Sequence, residues 1–360
     1  MNDDSTRILS IDALRGADIL IIAGLDLLVY RMAPLFPHSR AMQMLRTQMG
    51  HVNWEGLAAY DLVFPLFVFL AGVSLFLSLR KHAEQSAGRL LVRLYGRAAL
   101  LIVLGWAVNG AVTLNPVTMR FASVLGLIGL SGAFAGTLAL LCRRRAWPCL
   151  LAAAALLFGI GTAQYLGGDF TPAGCLNARV DAMLCPGRLH LGILDPEGPL
   201  CVLSATALSL IGYAAGATLT HPRALPRFGL LLGGGALCLA LAYPLPCIKN
   251  IWTSGFTLIA AGTSCLLLAL FHLLLDCIPS NARIVTAWAF PLRVAGANAL
   301  FLYLLTHLFA LPALAERLSC GLWELLLPSV YLPTAYAATA LLLAWLPALW
   351  LYRRGLYIRL

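Results

Sequence analysis

The residues best equipped for chemistry sit in one short stretch, Gly50-His51-Val52-Asn53-Trp54-Glu55-Gly56-Leu57, which runs into Tyr60-Asp61-Leu62-Val63-Phe64-Pro65. An imidazole titrates near neutrality, so His51 can take up and return a proton, and it can also carry an acyl group transiently. Asp61 is carried into an apolar helix. Ionisable groups are costly in hydrocarbon, and inside spanning helices they mark functional sites by default. The stretch therefore points to chemistry at a membrane boundary. Trp54 has a plainer reading as an aromatic-belt residue. At 1.5 Å per residue the step from His51 to Asp61 is about 15 Å along a helix. Asp61 is thus expected to serve a cavity within the bundle, and to reach His51 only if residues 51–56 fold back.

Other polar groups are also placed where lipid would not tolerate them. The first apolar segment carries Asp12, Arg15, Asp18 and Asp26. At 100° per residue, Arg15 and Asp26 fall about 20° apart and Asp18 about 60° from Arg15. Such a face must look into the bundle or a wet cavity. Arg15 equally suits a structural ion pair with Asp12 or Asp18, whereas Asp26 has no adjacent cation and is a catalytic candidate. Asp195-Pro196-Glu197-Gly198 opens the sixth helix, where Asp at the N-cap, Pro at the first position and an acid in the first turn would be explanation enough. Asn250 and Trp252 stand at the outer entry of the eighth helix, and Asn298 and His307 lie in the ninth. Intramembrane Asn commonly ties helices together. Arg80, Lys81, Arg89, Arg93, Arg97 and Arg143-Arg144-Arg145 could hold the phosphates of a nucleotide-like ligand, although the bias of basic residues to cytoplasmic loops also accounts for them. No phosphate-loop, dinucleotide, zinc-protease or serine-hydrolase motif appears in a fitting context.

The elements that must position these groups follow from composition. The 360 residues are 61% hydrophobic and only 11% charged, with a mean hydropathy of +0.85, far from the roughly one quarter charged of a soluble domain. The expected fold class is all-α: a polytopic membrane protein, a single domain over 1–360. A net charge of +10 does not argue for nucleic acid, because no soluble basic domain is present to bind it. The N-terminal residues do not read as a cleavable signal peptide. The ten cysteines show no metal-ligand spacing, so no metal is expected. Cys175 and Cys185 share one long segment, and a disulfide between them is plausible if that segment faces an oxidising compartment.

A spanning helix needs about 20 mostly apolar residues. Ten such segments are expected, at 14–36, 57–79, 90–113, 121–141, 146–166, 198–219, 227–245, 252–275, 288–313 and 330–352. Ten crossings put both termini on one side. With the N-terminus inside, about two thirds of the Lys and Arg residues fall in cytoplasmic segments, which favours an N-in, C-in arrangement. Two outer segments, 36–54 and 166–197, are long enough to be functional.

Several motifs occur in a familiar order. Ser10-Ile11-Asp12-Ala13-Leu14-Arg15-Gly16 comes first, then His51-x-x-Trp54-x-Gly56 with Asp61-Leu62-Val63-Phe64-Pro65-Leu66-Phe67-Val68-Phe69. Asp195-Pro196-Glu197-Gly198 follows, preceded by Asn177 and Asp181. Asn250-Ile251-Trp252-Thr253-Ser254-Gly255-Phe256 and Gly296-Ala297-Asn298-Ala299-Leu300 complete the set. In these motifs the chain resembles the heparan-α-glucosaminide N-acetyltransferase-like family of membrane acyltransferases, and in carrying Asp26 where animal members have Asn it is similar to the bacterial, NagX-type branch. The resemblance implies that His51 is the active-site histidine, with Asp12, Asp61 and Asn298 around the same interior cavity. It further implies a multi-pass protein of the bacterial inner membrane that takes acetyl from cytosolic acetyl-CoA to an amino-sugar or glycan acceptor.

The candidate catalytic set is therefore His51, Asp26 and Asp61. The candidate substrate-binding set is Asp12, Arg15, Trp54, Glu55, Asn250, Trp252, Asn298, Asp195 and Glu197. Expected partners are acetyl-CoA, the glycan acceptor and membrane lipid, with a homodimer through lipid-facing helices. The competing class is a proton-coupled transporter of a sugar or glycan fragment, which intramembrane carboxylates also fit.

Overall fold

The computed structural model describes residues 8–110, 119–277 and 283–358. Among these residues there are helices and no strands, only isolated bridges between Glu55 and Ile248 and between Arg120 and Gly187. Eight helices are long and apolar enough to cross a membrane: α4 (Val63–Lys81, with the turn before it), α5 (Ala87–Val108), α6 (Val124–Leu141), α7 (Ala146–Leu166), α9 (Pro199–Thr218), α10 (Ala224–Ala242), α11 (Ser254–Leu275) and α15 (Leu332–Arg353, with the turn before it). The pair α12 (Arg283–Ala297) and α13 (Ala299–Leu308), bent by 67° at Asn298, is long and apolar enough only when taken together, and makes a ninth if it is one span. Each of these coincides with a segment expected from hydropathy, though the expected end of the third, 111–113, lies outside the described residues.

The tenth expected crossing, 14–36, is a broken helix. α1 (Leu9–Leu20) and α2 (Asp26–Met32) are joined by a π-helical turn, Ile21–Leu25, in which Gly24 has φ of 134°. Glycine has no Cβ to oppose that conformation. The backbone leaves helical geometry at Gly24, so Asp26 does not keep the angular place that a uniform helix would give it. The shared face expected for Arg15, Asp18 and Asp26 is therefore not kept: Asp18 is buried, Arg15 pairs with Asp12 at 3.8 Å, and Asp26 turns elsewhere. The short helices α3 (Arg40–Gln48), α8 (Leu176–Leu184) and α14 (Leu311–Leu326) are too short or too polar to span, and they fall between the crossings.

The helices gather into two compact units. The first comprises Met1–His51, Ala58–Val63 and Leu270–Leu360. Here α1 crosses α12 in backbone contact: a Cβ added at Gly16 would sit 1.8 Å from the Leu292 carbonyl oxygen, and one at Gly296 would sit 1.9 Å from that of Asp12. Small residues permit this approach, which supplies dispersion contacts where water cannot drive association. α15 packs against α2, α12, α13 and α14. The second unit comprises Val52–Leu57 and Phe64–Ala269. α9 runs through its interior, flanked by α6 and α7, with α5 against α6 and α10 largely exposed.

Candidate functional site

Directly before α4 the chain makes a 3₁₀ turn, Ala59–Leu62. One oxygen of Asp61 accepts the Ala58 backbone N–H at 3.0 Å, closing the turn on itself. The other lies 2.7 Å from Nδ1 of His51. The 51–56 segment does fold back, and Asp61, expected to serve a separate cavity, is the partner of the histidine. Asp61 is buried, whereas the His51 side chain is 54% exposed. A buried carboxylate that accepts Nδ1–H fixes the tautomer in which Nε2 is the basic nitrogen. That arrangement suits proton abstraction or transient acylation at Nε2.

Two further groups join this pair within the same unit. The Tyr60 ring lies 4.8 Å from the imidazole, tilted by 57°. Its hydroxyl donates to Asp26 Oδ2 at 2.9 Å, while Asp26 Oδ1 accepts the Leu27 N–H at 2.6 Å. The π turn and Gly24 thus present Asp26 to the turn that carries the dyad. Tyr60 was missed in the sequence because a tyrosine at the mouth of a spanning helix reads as interfacial decoration. Asp12 and Arg15 pair with each other. Asn298 donates to the Leu356 carbonyl at 3.3 Å and accepts from Ile358 N–H at 2.9 Å, so both ends of its amide tie the C-terminal segment to the α12–α13 bend.

Part of this chain is similar to heparan-alpha-glucosaminide N-acetyltransferase. The Homo sapiens protein is 38% identical over 87 residues and the Mus musculus protein 37% identical over 87 residues, in each case 22% of this chain and 13% of the relative. The matched region is therefore a small part of those relatives' length. No family model matches the chain.

The remaining candidates lie in the second unit. Trp54 donates its indole N–H to the Phe170 carbonyl at 2.6 Å and packs on the cluster of Cys175, Ala178, Leu194, Ile248 and Ile251. Glu55 is exposed beside its backbone bridge to Ile248. Asn250 donates to the Asn53 carbonyl at 3.0 Å. Trp252 is fully buried, edge-on to Phe64 and Phe256, which makes it a core residue with no surface to offer a ligand.

Asp195 is not the N-cap expected for the sixth crossing. α9 begins at Pro199, with Gly198 as its cap, because the Asp-Pro-Glu-Gly residues form a turn closed by Gly198 N–H on the Asp195 carbonyl at 2.9 Å. The buried Asp195 carboxylate instead accepts two bonds from Arg120, at 2.6 and 2.7 Å, and the N–H groups of His190 and Glu197. Arg120 also pairs with Glu197. With these four donors the carboxylate of Asp195 is saturated, and its geometry is that of a structural knot.

Asp181 lies beneath the knot. Its Oδ2 accepts the Asp195 N–H at 2.9 Å, and its buried Oδ1 has no partner among the described residues. Burial, with the Asp195 charge adding, pushes its carboxyl up to about 6. The native state therefore holds a proton that the unfolded chain releases near the ordinary carboxylate range. Stability should fall as pH rises from about 4 through about 6, by up to about 3 kcal/mol. Asp181→Asn is expected to flatten that slope in thermal unfolding between pH 4 and pH 7; an unchanged slope would show that Asp181 is not its source.

Cys175 and Cys185 are both free thiols, one at each end of α8. The nine-residue helix holds them about 15 Å apart, whereas a disulfide needs Cα atoms within about 7 Å. The expected bridge is excluded by the helix between them. No cluster of His, Cys, Asp and Glu suited to a metal occurs among the described residues.

One polar constellation went unread in the sequence. In the first unit Asp276 Oδ2 accepts the Ser10 hydroxyl at 2.5 Å and lies 2.8 Å from His272 Nδ1, and Asp276 Oδ1 receives the Ser10 N–H at 3.4 Å. Asp276 thus caps the start of α1 from the end of α11. The His-x-x-x-Asp spacing at a helix end was the available signal, because residues four apart share a helix face.

Proposed function

We propose that the protein is a membrane acyltransferase that moves acetyl from cytosolic acetyl-CoA to the amino or hydroxyl group of an amino sugar or related glycan on the opposite side of a bacterial inner membrane. Both termini lie on the cytoplasmic side, with α1–α2 and its break counted as a tenth crossing. The observation that carries the reading is the His51–Asp61 dyad at the head of α4, a buried carboxylate orienting an exposed imidazole at the end of a membrane-spanning segment. The partial similarity to a named N-acetyltransferase supports the acetyl group and the amino-sugar acceptor.

In this reading His51 acts as base toward the acceptor or as the acyl carrier, and Asp61 holds its tautomer. The coenzyme phosphates are met by the basic inner segments. Arg144 is not free for that task, because its guanidinium donates to the Ala83 and Gln85 carbonyls at 2.7 and 3.2 Å and pins the α4–α5 turn. Arg80, Lys81, Arg89 and Arg93 supply the charge. The purified protein in detergent should transfer labelled acetyl from acetyl-CoA to glucosamine, and CoA should raise its unfolding midpoint by preferential binding to the native state. Absence of both effects would sink the reading.

A further inference from the structure

We propose that Cys142 and Cys149 form a reversible redox pair, which closes to a disulfide when the protein meets a hydroperoxide. The two residues flank the turn between α6 and α7. Cys142 caps the end of α6, and Cys149 stands one turn into α7. A helical side chain leans toward the N-terminus of its own helix, so Cys149 reaches back to the turn. The reversal there is tight. Arg143 and Arg144 both take left-handed backbone, with φ of 54° and 60°, and the Arg144 N–H donates to the Ala139 carbonyl at 2.7 Å. The two thiols meet in a side-chain hydrogen bond. Unlike Cys175 and Cys185, which a helix keeps apart, these two are brought together by a turn. Other helices hold the turn in that shape. The Tyr213 hydroxyl of α9 donates to the Arg144 carbonyl at 3.1 Å, and the Arg144 guanidinium is bonded to the α4–α5 turn.

The two sulfurs differ in access, and the difference orders the chemistry. Cys142 is half-buried, whereas Cys149 is completely buried. An oxidant from solution therefore meets Cys142 first. The Cys142 sulfur attacks the O–O bond of the hydroperoxide, which leaves a sulfenic acid on Cys142 and releases an alcohol, or water from hydrogen peroxide. The Cys149 sulfur then attacks the Cys142 sulfur. The S–O bond breaks, and the hydroxide departs as water with the Cys149 proton. Two thiols and one hydroperoxide thus give one disulfide, one alcohol and one water. Exchange with a small dithiol restores both thiols. With the N-terminus inside, as proposed above, the turn faces the cytoplasm. Disulfides there are usually transient and redox-sensing.

The full chain in detergent, reduced and then freed of reductant, is treated with hydrogen peroxide, unfolded in N-ethylmaleimide and digested with trypsin. Trypsin cuts after Arg143, Arg144 and Arg145, so only a disulfide can keep the Cys142 and Cys149 peptides together. Mass spectrometry should find the two peptides joined and lighter by two hydrogen atoms than their thiol forms, and dithiothreitol should part them. Maleimide labelling should fall by two from the ten cysteines. Cys149→Ala should stop at the sulfenic acid, trapped by dimedone on Cys142. Cys142→Ala should leave Cys149 as a labelled thiol, because burial shields it. The wild-type peptide result stands whether or not either variant folds. The proposal is overturned if both residues stay maleimide-labelled after peroxide, if Cys142 joins a different cysteine, or if Cys149 oxidises equally well without Cys142.

Discussion

Replacing His51 by alanine should lower acetyl transfer from labelled acetyl-CoA by a factor of about 10² to 10⁴, the contribution of a positioned acid–base group, with little change in the unfolding midpoint because the side chain is more than half exposed. Asp61→Asn should cost nearly as much, for a reason the geometry makes specific. The carboxylate accepts from two donors at once, the Ala58 N–H at 3.0 Å and His51 Nδ1 at 2.7 Å. An amide has one accepting oxygen and one donating nitrogen. If the oxygen keeps the backbone bond that closes the 3₁₀ turn, the NH₂ faces His51 and demands Nδ1 as an acceptor. The proton then moves to Nε2, and the base is lost while the turn survives. The expected signature is a fall in kcat with KM for acetyl-CoA held. Asp61→Asn activity equal to wild type would remove Asp61 from the mechanism.

The extent to which this was legible in the sequence depends on the range of each signal. Eight long apolar helices could be read from hydropathy because each is a continuous apolar run, and α7 occupies the residues expected of it, Ala146–Leu166. The break in α1–α2 was not legible. Gly24 is one glycine among 32, and periodicity arguments assume a regular helix, so the face shared by Arg15 and Asp26 was computed on a geometry the chain does not adopt. His51 and Asp61 each stand out, yet their pairing could be given only as the consequence of a fold-back of 51–56, because a linear measure along a helix cannot register a loop that returns. Asp195 was explained by the wrong local rule. Its sequence has the form of a helix start, but its partner is Arg120, 75 residues away, and no local pattern carries that distance. Trp252 looked like a recognition residue at a helix entry, and only the packing of Phe64 and Phe256 around it shows a core side chain.

The largest stability loss is expected at Arg120. Its guanidinium is bidentate to Asp195, at 2.6 and 2.7 Å, and also pairs with Glu197. Asp195 is completely buried, and Arg120 is 18% exposed. Arg120→Leu leaves the Asp195 carboxylate with only the His190 and Glu197 N–H groups, and it stands near the Asp181 carboxyl, whose N–H donor is Asp195 itself. Breaking a buried pair from one side costs about 3–5 kcal/mol, because a charge is left without compensation. The loss should appear as a drop of the unfolding midpoint in detergent at pH 7. Two controls separate this cause from simple loss of packing. Acidification neutralises the stranded carboxylates, so the deficit of Arg120→Leu should shrink as pH is lowered. Adding Asp195→Asn removes the uncompensated charge and should recover part of the midpoint, since the amide still accepts one of the backbone N–H groups. A deficit that neither acid nor the second substitution relieves would assign the cost to the lost aliphatic stem of Arg120. The ion-pair account of this loop would then fail, along with the view of the Asp-Pro-Glu-Gly turn as a structural knot.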